Sequence, residues 1–151
     1  MNLFVYYLTN PSTQLIQVGI TVIRVGIGIL MIGHGLPKLY AGAQTWQQIG
    51  TAMQNIGIYF WPTFWGLLAA LTELLGGISF VFGIATRFWA FMLAGMMTIA
   101  YIYHVHKNDP FAVTSHALAL LIVFIGFMIM GSGMFSLDYY FFLRNMGNPV
   151  R

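Results

Sequence analysis

Apolar positions along this chain come in long unbroken runs rather than in the strict alternation of a half-buried strand. A bilayer core about 30 Å thick takes about 20 residues of helix at 1.5 Å rise. Four runs approach or exceed that length, over roughly residues 15–36, 61–85, 88–104 and 117–135. The first is interrupted by one full charge, Arg24, and the second by one, Glu73. The third is apolar up to His104, and the fourth holds no ionisable group. Between the first two runs the pattern changes. Trp46, Ile49, Met53 and Ile56 recur at three- and four-residue spacing, with Gln and Thr residues filling the other face. That spacing predicts a short amphipathic helix over about 44–57, lying at the membrane surface. The predicted fold is therefore an all-α integral membrane protein: a four-helix transmembrane bundle in one domain, with an interfacial helix between helices 1 and 2.

Composition closes off the alternatives. Only 6% of the 151 residues are charged and 59% are hydrophobic, which leaves too little polar surface to coat a water-soluble globule. The net charge of +3 comes with no basic run, so nucleic acid is excluded as a partner and membrane lipid takes its place. There is no Cys, which removes disulfides, thiolate metal sites and thiol redox chemistry carried by the chain itself. Residues 1–14 carry no Lys or Arg and no small-residue cleavage site follows the first run, so that run is expected to remain as a span. Four spans place both termini on one side. That side collects Arg87, Arg144 and Arg151 against Lys38 and Lys107 opposite, and the positive-inside rule then predicts cytoplasmic termini.

Two charges near the middle of two neighbouring spans are the strongest chemical signal. A lone Arg or Glu in hydrocarbon costs about 2.5 kcal/mol or more, and pairing recovers much of it. Arg24 and Glu73 are therefore expected to form a buried ion pair. Such a pair is either an internal latch fixing helix register or the wall of a polar pocket or proton path. Glycines at heptad steps, Gly19, Gly26 and Gly33 with Gly28 and Gly35 on a second stripe, suit close helix packing within the chain and are compatible with a homodimer.

Histidines form a second pattern, because helix alternation brings His34, His104, His106 and His116 to one membrane face. Imidazoles at an interface commonly serve headgroups and helix ends. His34, His104 and His116 also make a candidate metal or haem site if their helices neighbour one another, and His34 a candidate hydrogen-bond donor to a quinone. Lys38, at the Gly33-His34-Gly35-Leu36-Pro37-Lys38 exit of the first run, either snorkels to headgroups or holds an anionic or cofactor group. Asp109 reads as an exposed loop residue.

Taken in order, several segments resemble the DoxX family of small four-helix bacterial membrane proteins. They are Arg24, Gly35-Leu36-Pro37-Lys38-Leu39, Glu73 with Gly76-Gly77, Gly83-Ile84-Ala85-Thr86-Arg87 and Gly131-Ser132-Gly133-Met134-Phe135-Ser136-Leu137-Asp138. The resemblance spans roughly residues 15–140, with Ser132 replacing a usual Pro and His116 standing where an acidic residue often begins the last span. It implies an inner-membrane location and similarity to a subunit of a thiosulfate:quinone oxidoreductase that works with a soluble redox partner or second subunit. On that resemblance, Glu73 would exchange protons with a quinol, Arg24 would hold Glu73 or a quinone carbonyl, and His34 would supply a further hydrogen bond. The competing expectations are a non-catalytic scaffold that recruits partner proteins or lipid, and a small-solute transporter with the Arg24 and Glu73 level lining its path.

Overall fold

The computed structural model describes residues 12–145, and the side chains of these up to Phe142. Residues 1–11, Arg151 and the Arg144 side chain, which enter the topology expectation, lie outside it. Four helices are long and apolar enough to cross a membrane: α1 (Thr13–Tyr40), α3 (Pro62–Phe82), α4 (Thr86–His106) and α5 (Phe111–Met130). Among the described residues two short helices complete the order, α2 (Ala43–Gly50), which runs into a 3-10 turn over Thr51–Ile56, and α6 (Leu137–Asn145). The protein is a multi-pass membrane protein, all-helical among the described residues.

Helix ends follow local chemistry. Ser12 caps α1, its hydroxyl accepting from the Leu15 amide. α1 does not stop at the Gly-His-Gly-Leu-Pro segment; it carries Pro37 inside and continues to Tyr40, making it about 42 Å long at 1.5 Å per residue. Pro62 opens α3 at the first helical turn, where its missing N–H is no loss. α5 begins at Phe111 rather than Ala117 and ends at Met130 rather than Phe135. Pro110 starts it, Thr114 is absorbed by bonding back to the carbonyls of Asp109 and Pro110, and Gly131 at φ 79° stops it.

The long helices pack as two antiparallel pairs, α1 with α3 and α4 with α5, and α3 meets α4 along a less extensive seam. In the first pair the register is set by backbone contact. A Cβ added at Gly28 would stand 2.7 Å from the Gly77 carbonyl oxygen, and one at Gly77 equally close to the Gly28 carbonyl. Of the two predicted glycine stripes, only Gly28 and Gly35 pack in this way; Gly19, Gly26 and Gly33 have open space around them. Phe80 of α3 carries the core across the seam, its ring edge-on to Phe124 and Phe127 of α5 at 5.5 and 5.1 Å between centroids. Met31, Leu93 and Met97 fill in around it.

The predicted amphipathic segment forms α2 and its 3-10 turn, at the end of the bundle where Trp61 precedes α3. Its apolar stripe is turned largely to protein, with Ile56 at its end 43% exposed. A Cβ at Gly66 would fall 1.7 Å from the Trp46 carbonyl oxygen, and one at Gly50 the same distance from that of Pro62, so α2 and α3 touch through bare backbone. Met53 is buried, and the Trp46 indole N–H donates to the Lys38 carbonyl at 2.8 Å. These contacts hold the short helix beside the last turn of α1.

Candidate functional site

The expected Arg24–Glu73 pair does not form. Gly28 lies opposite Gly77; Arg24 precedes the one and Glu73 the other by one turn on antiparallel helices. The two charges therefore diverge, by eight residues of rise or about 12 Å. The two span midpoints do not face each other, because the register is set by the Gly28–Gly77 backbone contact, which lies near the middle of α1 but well past the middle of α3.

Arg24 instead fastens helix ends. It is 2% exposed, and its guanidinium donates from Nη1 to the carbonyls of Phe80 and Val81 and from Nη2 to that of Phe135 at 2.7 Å. Phe80 and Val81 belong to the last turn of α3, where carbonyls have no partner within the helix and the dipole favours a cation. Nearby, Asp138 accepts from the Ala85 and Thr86 amides at 2.8 and 3.2 Å, capping α4, while its own amide donates to the Gly83 carbonyl. An open groove of about 490 Å³ adjoins this end; several of its polar side chains are engaged in such ties, while among the described residues Thr86 Oγ1 is buried without a hydrogen-bond partner. Gln17 accepts from the Met134 amide and Arg87 donates to the Ile129 carbonyl.

Glu73 stays at mid-helix and takes Lys38 as its partner. Nζ of Lys38 lies 2.5 Å from Oε1 of Glu73, with the Glu73 side chain 4% exposed and that of Lys38 34%. Lys38 thus does not snorkel to headgroups; its long side chain turns inward. Glu73 can approach because Gly35 of α1, against which its Cβ packs, has no side chain. Among the described residues, Oε2 of Glu73 is buried without a hydrogen-bond partner.

This pair borders a cavity of about 320 Å³ in the seam between α3 and α4, closed on one side by α2 and its 3-10 turn. Most of the lining is apolar: Met53, Trp65, Leu68, Met92, Met96 and Ile99 among others, with Thr72 beside Glu73. Trp65 keeps its indole N–H engaged with the Phe60 carbonyl at 3.0 Å and so presents its ring. Methionine side chains are flexible and polarizable, which suits a wall that adapts to a flat or irregular ligand. A carboxylate and an ammonium at one edge of an apolar chamber make a place for an amphipathic molecule with a small polar head.

The histidines separate into two sets. His104 turns to Asp109, Nδ1 to Oδ2 2.7 Å, and His106 bonds back to the Ile102 carbonyl. Asp109 is therefore tied to the end of α4 rather than free in its loop. His34 and His116 do meet, edge to face at 6.1 Å between centroids, but on an exposed surface outside the cavity. The expected three-histidine metal cluster is not assembled: His104 pairs with Asp109 while His34 meets His116, and among the described residues no three His, Cys, Asp or Glu stand close enough to hold a metal ion.

The order of these parts is matched by known sequences. The DoxX family model aligns with residues 19–107, more than half of the chain, from the early turns of α1 to the residue after α4. The chain belongs to the DoxX family. Arg24, Lys38 and Glu73, together with every residue lining the cavity, fall within the DoxX match, whereas α5 with His116 lies beyond it. No curated protein and no solved structure matches this DoxX chain.

Sequence reasoning placed Lys38 and Glu73 among the site residues but assigned Glu73 the wrong partner, and it missed Trp65, Met92 and Met96. The amphipathic stripe of α2 was the available signal: a short helix with buried apolar residues must cover something.

Proposed function

We propose that this protein is a quinone-linked redox component of the bacterial inner membrane, with cytoplasmic termini, and that it works with a soluble redox partner or second subunit. The observation that carries the reading is the apolar cavity bordered by the Lys38–Glu73 pair within membrane-spanning helices. A quinone supplies two-electron chemistry and a flat, largely apolar head with oxygens at its ends. The residues present fit such a head. The ring would lie against Trp65 and the methionines, Lys38 would donate to an oxygen, and Glu73 would hold or release a proton there. Arg24 has no part in this site, since its guanidinium is committed to helix-end carbonyls.

The test uses detergent-purified protein titrated with a short-chain quinone, followed by quenching of Trp65, with Trp65→Phe identifying the signal. Saturable quenching is expected, together with quinone in the organic extract of the purified protein. Lys38→Met is expected to weaken binding by roughly tenfold, the worth of one charge-assisted hydrogen bond. Absence of saturable quenching, with no extractable quinone, would refute the proposal.

A further inference from the structure

We infer that the head group bound in this cavity is a hydrogen-bond donor, so that the site selects the hydroxyl-bearing, reduced form of its ligand over the carbonyl form. This inference rests on the quinone-site reading above and adds to it which redox form the cavity holds.

The asymmetry of the ion pair is the starting point. An ionised carboxylate only accepts hydrogen bonds, while an ammonium only donates and carries three N–H groups. Lys38 uses one of its three on Oε1 of Glu73 and is partly exposed, so its others have access to polar surroundings. Oε2 of Glu73 has no such outlet. It is buried, and among the described residues nothing donates to it. The neighbouring indoles cannot turn to it, because Trp65 donates to the Phe60 carbonyl and Trp46 to that of Lys38.

Glu73 borders the cavity but Oε2 is buried behind its wall, so a rotation of the carboxylate must first bring Oε2 to the cavity face; a phenolic hydroxyl there answers both groups at once. Its proton goes to Oε2, and its oxygen lone pairs accept from Lys38. A quinone carbonyl answers only Lys38 and turns a second lone pair toward the carboxylate, leaving Oε2 desolvated and unmet. A buried acceptor left without a donor costs enough to change affinity by about tenfold or more. Tenfold tighter binding of the reduced form raises the two-electron potential of the bound couple by about 30 mV relative to the free couple.

The experiment compares two redox-inert probes of one skeleton on the full-length protein in detergent. These are 2-decyl-4-methoxyphenol, which offers one hydroxyl, and 2-decyl-1,4-dimethoxybenzene, which offers none. Decyl-benzoquinone is titrated by Trp65 quenching, and the two probes by their displacement of it. The phenol is expected to bind at least about tenfold tighter than the dimethoxy compound. Glu73→Gln is expected to shrink that gap, because an amide can meet either head by flipping. Equal affinity of the two ethers for the unaltered protein would overturn the inference while leaving the quinone site standing. Failure of all three probes to bind would overturn the site and the inference together.

Discussion

At the scale of single residues, this chain sorts its intramembrane charges into two jobs that look alike in the sequence. Arg24 and Glu73 are each the only charge in an apolar run, and burial was legible for both from its energetic cost. Their partners were not legible, because partner choice depends on register, and register depends on which glycine stripe meets the next helix. Arg24 satisfies three carbonyls with one planar fork, a task for which a lysine's point charge is a poor replacement. Arg24→Leu is therefore expected to destabilise the protein by roughly 3 kcal/mol or more, since hydrogen bonds to charged groups contribute about 1.5–3 kcal/mol each. Arg24→Lys should recover only part of that loss. Thermal unfolding in detergent, followed by circular dichroism, measures both.

At the scale of elements, the long helices were readable because length and hydropathy leave a membrane-spanning chain few choices. The ends were harder. Pro37 suggested an exit but is carried within α1, where a proline's lost hydrogen bond need not break the helix if its surroundings compensate. The amphipathic segment was read as a helix resting on the surface, because a hydrophobic stripe says that something apolar lies opposite and not whether it is lipid or protein. Backbone contact decides for protein, and it makes a sharp prediction. Gly66→Ala places a methyl group against the Trp46 carbonyl and should cost about 1–3 kcal/mol, the usual range for overpacking. It should also weaken quenching of Trp65 by cavity ligands, because α2 must lift away. Gly26→Ala, at a position with open space, should leave both measurements unchanged or slightly improve stability. Unfolding and ligand titration of the two variants side by side check the contrast.

Across the whole molecule, polar ties and apolar space are segregated. The end of the bundle around Gly83 is knotted together by Arg24, Asp138, Gln17 and Arg87, which link α1, α3, α4, α5 and the turn before α6. The opposite half of the seam between the two helix pairs holds the cavity, with flexible methionines on its walls. Asp138→Ala removes the cap of α4 and is expected to cost about 0.5–2 kcal/mol in the same unfolding assay. With the helix pairs tied by polar bonds at the Gly83 end and parted by open volume in the other half, side chains on the cavity wall can be exchanged without loosening the bonds that hold the four helices together.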